Sequence, residues 1–175
     1  RDLLSSPTRR ASDLREILAP APEHGGALVA LEILLGRGVS PIAIAEILEP
    51  LYRMSESWDR LIGVNTVQLQ HQTDPDERVQ MIHRIAELAE DRAGDHQLAF
   101  EWMQRALLEG PRHEHTAAEV ERLAGMLDRW DQLANTYADV LAQSEDPQAI
   151  AEVGKRQARV LEAELGDVEG TVAAY

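Results

Sequence analysis

The stretch GDHQLAFEWMQRALLEGP, residues 94–111, is the most informative part of this chain about its architecture. Its apolar residues recur three and four positions apart, at Ala99, Trp102, Met103 and Ala106. That spacing places them on one face of an α-helix, because an α-helix turns once about every 3.6 residues. Gly-Asp before the run and Gly-Pro after it are typical of turns. The stretch therefore predicts one amphipathic helix bounded by two short turns.

Helical spacing of apolar residues continues through the rest of the chain, and the alternation typical of strands is essentially absent. Four helix starts are marked by a Ser or Asp directly before a proline. Such a side chain can cap the helix, and proline loses no hydrogen bond at the first helical position. Two capping boxes are also present, Asp74 with Glu77 and Thr116 with Glu119. The four pairs are Ser6-Pro7, Ser40-Pro41, Asp74-Pro75 and Asp146-Pro147.

These signals predict ten helices joined by short loops. Short loops make consecutive helices antiparallel neighbours, so the predicted fold class is all-α and built from helical hairpins. Aromatic residues make up 4% of the chain, and Ala and Leu carry much of the apolar content, which also favours helices over sheets. The predicted helices span 6–18, 25–36, 41–54, 58–70, 75–93, 95–109, 116–128, 130–143, 147–165 and 167 to the end.

An internal repeat organises these helices. Three landmarks recur at one common offset without a gap: a Trp-Asp pair, an Asp-Pro pair and a Gly-Asp pair. Each unit of this length holds four helices, which is two hairpins, so the repeat predicts an array of similar hairpins. The spacing from Trp58 to Trp130 defines the repeat offset. The other landmark pairs are Asp74-Pro75 with Asp146-Pro147, and Gly94-Asp95 with Gly166-Asp167.

Half of that unit, about 36 residues, approaches the period of the tetratricopeptide repeat. Residues 94–111 resemble the inter-helix turn and second helix of that family, with Ala99 and Ala106 at its small positions and Met103 at the large position between them. The preceding helix carries one residue more than the family's first helix, as in degenerate, long-period members. The resemblance implies a right-handed α-solenoid of about five antiparallel hairpins, in a single array over residues 1–175. The implied hairpins are 6–36, 41–70, 75–109, 116–143 and 147–175.

Two registers are possible for the helices that begin with Trp. Residues 130–137, WDQLANTY, are similar to the family's first helix, which lines the concave groove. Strict alternation starting from residues 94–111 instead makes 130–143 a second helix. We favour this register, because Trp58 and Trp130 then stand just after a turn, as His96 does in residues 94–111. The concave face is then expected on the first helices, one helix earlier in each hairpin.

The resemblance implies a non-catalytic interaction module that binds a peptide or a partner protein on the concave face. A structural spacer or self-assembly scaffold within a larger multi-repeat protein is the alternative. For any single residue, an ordinary solvated helix face is the competing interpretation. The first helices are 41–54, 75–93, 116–128 and 147–165. Their candidate partner-binding residues are Glu46, Arg53, His83, Glu87, Glu90, Asp91, Arg122, Lys155, Arg159 and Glu162.

Charge and composition limit the partners. A formal charge of −14 argues against nucleic acid, which needs clusters of Lys and Arg. The longest apolar run, Ala27 to Leu35, is shorter than the ~20 residues of a membrane helix, so we expect no membrane insertion. Arg1 in place of Met, and an apolar-periodic run that reaches Tyr175, predict a part of a longer protein. The oligomeric state does not follow from the sequence.

Catalytic patterns are not found. The chain has no cysteine, which excludes disulfides, thiolate zinc sites and cysteine nucleophiles but fits a reducing cytosol and an exported protein equally well. His113-Glu114-His115 is the one cluster that looks like ligands, and a structural or catalytic metal site needs more converging ligands. No Gly-rich phosphate loop follows a strand. We therefore expect no enzymatic activity, no cofactor and no metal.

Overall fold

The structure is a computed structural model that describes residues 7–19, 21–22 and 24–166. These residues are all-α: they form nine α-helices and one π-helical segment and contain no strand. The predicted fold class is thus confirmed at this level. The α-helices are α1 Pro7–Leu18, α2 Gly25–Gly36, α3 Pro41–Met54, α4 Trp58–His71, α5 Pro75–Glu87, α6 His96–Glu109, α7 Glu114–Leu127, α8 Trp130–Gln143 and α9 Pro147–Ala163.

The predicted helix starts at Pro41, Pro75 and Pro147 are confirmed, each with proline in the first turn. The capping box of Asp74 is confirmed as well, because the Glu77 N–H donates to Asp74 Oδ1 at 3.0 Å. The predicted tenth helix, from 167 to the end, lies outside the described residues. The expected start at Ser6-Pro7 agrees with α1, although Ser6 is itself outside them.

The capping box predicted for Thr116 with Glu119 is wrong. The helix α7 begins earlier than expected, at Glu114 with His113 as its N-cap, so Thr116 lies within the first turn. The Thr116 side chain is fully buried and bonds His83 instead of capping the helix. A tertiary contact has therefore outweighed a local capping pattern.

A π-helical segment, Leu88–Arg92, follows α5 directly. At its end, the Ala93 N–H donates to the Leu88 carbonyl, a bond that spans five positions in place of four. Such a widened turn accommodates one additional residue without ending the helix. The segment therefore lies where the sequence has one residue more than the tetratricopeptide first helix.

The chain forms two compact units, residues 1–72 (unit 1) and residues 73–175 (unit 2). In unit 1, α3 packs against α4 and α2 packs against α3. Its fully buried side chains include Leu31, Ile44, Leu48, Leu61 and Leu69. The apolar face of each helix therefore covers the same core, which is the main source of stability for short helices.

In unit 2, α6 packs against both α5 and α7, and α8 packs against α9. Ala99 and Ala106 on α6 are fully buried and Met103 between them is nearly so, as expected from the sequence. Small residues at these positions let neighbouring helices approach closely. Tyr137 on α8 is also fully buried.

Hydrogen bonds in unit 2 also connect each helix to the next but one. His83 on α5 bonds Thr116 on α7, and Gln104 on α6 bonds Thr136 on α8. The bonded residues are 33 and 32 positions apart, close to the length of one hairpin. Arg156 on α9 likewise bonds a residue of α7 at a separation of 35. Hence α5, α7 and α9 are neighbours in space, and so are α6 and α8.

The repeat offset is present in the helix bounds and turns. The two helices that begin with Trp, α4 and α8, have bounds that correspond residue for residue. Two positions before each Trp, the backbone has a positive φ, 52° at Glu56 and 55° at Asp128. The Gly-Asp turns share this feature, with φ of 70° at Gly94 and 65° at Gly166. Left-handed backbone therefore recurs at matching places in both copies.

Candidate functional site

The ten candidate partner-binding residues lie on the helices expected to carry them. His83 and Glu90 are half-buried and the other eight are exposed. Their assignment to a concave face remains a prediction. Two belong to unit 1, and eight belong to unit 2, on α5, the π-helical segment that follows it, α7 and α9. The unit 1 pair is Glu46 and Arg53 on α3; the others are His83, Glu87, Glu90, Asp91, Arg122, Lys155, Arg159 and Glu162.

The structure brings Glu90 and Arg122 together. Arg122 Nη2 donates to Glu90 Oε2 at 2.6 Å, and Arg122 Nε donates to Glu119 Oε2 at 2.9 Å. The hydrogen bond from Arg122 is the main cause of a lowered pKa at Glu90, and His96 contributes at 3.6 Å. This ion pair connects the π-helical segment to α7. It also neutralises one of the carboxylates among the candidate residues.

Glu87 and Asp91, one helical turn apart, keep their carboxylates exposed. Among the described residues, neither has an ion-pair partner within 4.0 Å. Arg53 in unit 1 differs, because its Nη2 donates to Glu49 on the same helix at 2.9 Å. Glu87 and Asp91 are therefore available to charges from outside the chain.

The side chain of His83 is held by contacts within the chain. Its Nε2 lies 2.7 Å from Thr116 Oγ1, and its ring centre lies 5.4 Å from that of His115. Burial lowers the pKa of His83, the charges of His115 and His113 lower it further, and Glu119 opposes them. The imidazole is therefore neutral near pH 7 and connects α5 to α7 by a hydrogen bond.

A part-buried polar contact that the sequence did not predict joins α7, α8 and α9. The Tyr137 hydroxyl donates to Glu121 Oε1 at 2.7 Å, and Arg156 Nη1 donates to the same oxygen at 2.9 Å. Burial raises the pKa of Tyr137, and the hydrogen bond to Glu121 raises it further. At Arg156, burial lowers the pKa, but Glu121 outweighs that effect and the net pKa is raised.

Beside this contact, unit 2 has a cavity of about 380 Å³. It lies between the turn that precedes α7 and one face of α9. Four cations line it, and two carboxylates stand among them; hereafter it is the basic cavity. The cations are Arg112, Lys155, Arg156 and Arg159, and the carboxylates are Glu114 and Glu152.

The four cations differ in how they are paired. Arg156 bonds Glu121, as described, and Arg112 Nη1 lies 3.5 Å from Asp146 Oδ2. Lys155 and Arg159 have no ion-pair partner within 4.0 Å among the described residues. Two exposed cations on one face of α9 therefore remain available at the mouth of the cavity.

The sequence singled out only two of these cations. Lys155 and Arg159 were expected on the concave face from the resemblance to the tetratricopeptide first helix, and their spacing of four is consistent with one helix face. Arg112 was missed, because it lies in a turn whose position beside α9 depends on long-range packing. No signal in the sequence places that turn next to a helix that begins only at Pro147.

Unit 1 has a cavity of its own, about 330 Å³, with a more apolar lining that includes Leu28, Leu51 and Met54. Tyr52 also lines it, and its hydroxyl bonds Glu32. Burial is the main cause of a raised pKa at Tyr52, followed by that bond. Arg60 Nη1 reaches the same carboxylate at 3.1 Å.

Metal-ligating clusters and membrane-spanning helices are both absent from the described residues. These residues contain no group of three or more His, Asp or Glu side chains placed to hold a metal ion. No helix in the described ranges is both long and apolar enough to cross a membrane.

Comparisons with known proteins do not assign this chain to a family. No protein-family model matches the sequence, and no curated protein is similar to it.

Proposed function

We propose that this chain is a TPR-like helical-repeat module that binds a peptide or partner protein on the face formed by its first helices. In this proposal the hairpins stack as a right-handed α-solenoid, and the first helices line its concave side. The observation that carries the proposal is the row α5, α7 and α9, whose side chains bond one helix to the next. Because these bonds join the helices side by side, their exposed charged residues form one continuous surface.

The internal repeat supports this interpretation. At several buried positions the residue type recurs across the repeat offset, as Ala27 with Ala99 and Leu61 with Leu133 do. Among the exposed first-helix positions, Arg159 stands where the earlier copy has Glu87. Packing does not constrain such an exposed position, so it is free to match a partner.

The exposed charges of this surface differ in sign between its two ends. Glu87 and Asp91 expose carboxylates at the α5 end, and Lys155 and Arg159 expose cations at the α9 end. A partner with the opposite order of charges gains favourable contacts in one orientation and like-charge repulsion in the reverse one. Such a surface determines the register and orientation in which a partner binds, in addition to contributing to its affinity.

Selection from a phage-displayed random peptide library tests the proposal. Peptides selected by the wild-type chain should bind at least tenfold more weakly, about 1.4 kcal/mol, to the Glu87→Lys and Lys155→Glu variants. The matched control is Asp139→Lys, which reverses an exposed charge on the second helix α8. Equal binding by all four proteins would rule out the first-helix face as the binding surface.

One observation favours self-assembly as a second candidate function. The helix α2 carries a single charged residue, Glu32, yet Val29 and Ile33 are 52% and 50% exposed. A helix that is apolar on all faces belongs in an interior, so its outer face is suited to a second copy. Sedimentation velocity at increasing concentration should show dimers that the double variant Val29→Lys/Ile33→Lys abolishes. A monomer at every concentration would exclude this candidate.

A further inference from the structure

We propose that the basic cavity of unit 2 is a binding site for a small, hydroxyl-rich phosphate monoester. The phosphate would contact Lys155, Arg159 and Arg112, and the remainder of the ligand would occupy the cavity between the turn before α7 and α9. This inference does not rest on the proposed function, because it requires no partner protein. It concerns a different ligand class at one end of the same row of helices.

Three of the four cations of this cavity are particular to the second copy of the repeat. Helix bounds are similar in the two copies related by the repeat offset, so these cations are not a general requirement of the repeated helices. At that offset only Arg156 has an arginine or lysine as its counterpart. The counterpart of Lys155 is a histidine that is neutral near pH 7. The earlier residues are Ser40 for Arg112, His83 for Lys155, Arg84 for Arg156 and Glu87 for Arg159.

The cations are also placed unfavourably in the absence of an anion. Lys155 and Arg159 lie four positions apart on α9, where like charges destabilise a helix. Among the described residues neither has an ion-pair partner. Arg112 reaches Asp146 only at 3.5 Å, and its side chain is 63% exposed. A bound dianion would relieve this repulsion.

The donor set fits phosphate better than carboxylate. A phosphate monoester carries a charge of about −1.5 to −2 near pH 7 and offers three acceptor oxygens, which match cations converging from two elements. The planar guanidinium group of arginine can donate two parallel hydrogen bonds to a pair of such oxygens. The start of α7 is a secondary contributor, since its N-cap, His113, makes no side-chain capping bond to the first-turn N–H groups.

The size and remaining polarity of the cavity indicate what else the ligand carries. A volume of about 380 Å³ lies at the small end of the range of roughly 300–1,000 Å³ for small-molecule sites, so it holds more than a phosphate group. Glu114 and Glu152, the two lining carboxylates, are hydrogen-bond acceptors. They suit hydroxyl groups, which a sugar phosphate provides.

Titration with glucose 6-phosphate tests the site, followed by ³¹P NMR and isothermal calorimetry on the 175-residue chain. We expect saturable binding that the double variant Lys155→Gln/Arg159→Gln weakens at least tenfold. The matched control is Arg84→Gln, which removes an exposed cation from α5, outside the cavity lining. This variant should bind like the wild type, and circular dichroism should show that both variants keep their helices.

Three results would overturn the proposal. The first is an absence of saturable binding of glucose 6-phosphate to the wild type. The second is equal binding of sodium sulfate at matched ionic strength, since that indicates only general attraction of anions. The third is a phosphoserine peptide that binds more tightly than glucose 6-phosphate and is equally sensitive to the double variant, because the phosphate would then belong to a modified protein.

Discussion

Replacing Tyr137 with Phe tests the polar contact at the centre of unit 2. Tyr137 is fully buried, and its hydroxyl donates to Glu121 at 2.7 Å. A hydrogen bond to a charged group contributes about 1.5–3 kcal/mol to stability. Phe keeps the ring packing, and Arg156 still neutralises Glu121, so we expect the lower end of that range. The Tyr137→Phe variant should therefore lose about 1.5 kcal/mol of unfolding free energy at pH 7.

The dependence of this loss on pH follows from the raised pKa of Tyr137, whose usual value is 10.0. Above pH 10 the unfolded chain releases the phenol proton, whereas the folded chain keeps it. The stabilisation by Tyr137 is therefore complete below about pH 10 and is lost as the pH rises further. Each proton that the unfolded chain releases and the folded chain keeps lowers the free energy of unfolding by about 1.4 kcal/mol per pH unit. The difference in unfolding free energy between wild type and variant should therefore fall to zero within about one pH unit above pH 10.

Urea unfolding between about pH 7 and pH 11, followed by circular dichroism and tryptophan fluorescence, measures this difference. Other titrating groups are shared by the two proteins, so their contributions cancel in the comparison. A variant as stable as the wild type at pH 7 would refute the energetic reasoning. A difference that stays constant across the whole range would refute the assignment of the buried proton to Tyr137.

Three further substitutions probe packing and surface charge. Gly110→Ala would place a methyl group 2.9 Å from Cγ2 of the buried Val79, so it should cost about 1–3 kcal/mol in urea unfolding. Gly63→Ala, within a helix and with open space, should be neutral or stabilising. Glu90→Gln should cost less than about 1 kcal/mol at pH 7, because Arg122 is 44% exposed. The lowered pKa of Glu90 means that this cost disappears as the pH falls through that pKa, which acid-range unfolding curves would show.

Helix starts were predictable from local chemistry at Pro41, Pro75 and Pro147, because a proline in the first turn is favourable wherever the helix packs. Thr116 shows the limit of the same reasoning. Its Thr-x-x-Glu pattern is a capping signal, but its burial and its bond to His83 depend on a residue 33 positions away. No local pattern contains that information.

The candidate site was predictable to a similar extent. Lys155 and Arg159 were expected from the resemblance to the tetratricopeptide first helix, and their spacing of four agrees with places on one face of α9. The pairing of Glu90 with Arg122 does not follow from spacing, because the two carboxylates Glu87 and Glu90 look equivalent in sequence. Only the position of α7 beside the π-helical segment decides which of the two is neutralised.

Local sequence was enough to predict the all-α class, most helix bounds, and the repeat offset that relates one copy of the helices to the next. These properties depend on capping, proline and apolar spacing, which act over a single turn or two. Helix packing was needed to establish which charges are paired, that Tyr137 is buried with Glu121, and that Arg112 lies across a cavity from α9. Those outcomes depend on distances between residues about one hairpin apart, and such distances are set by how the helices pack against one another.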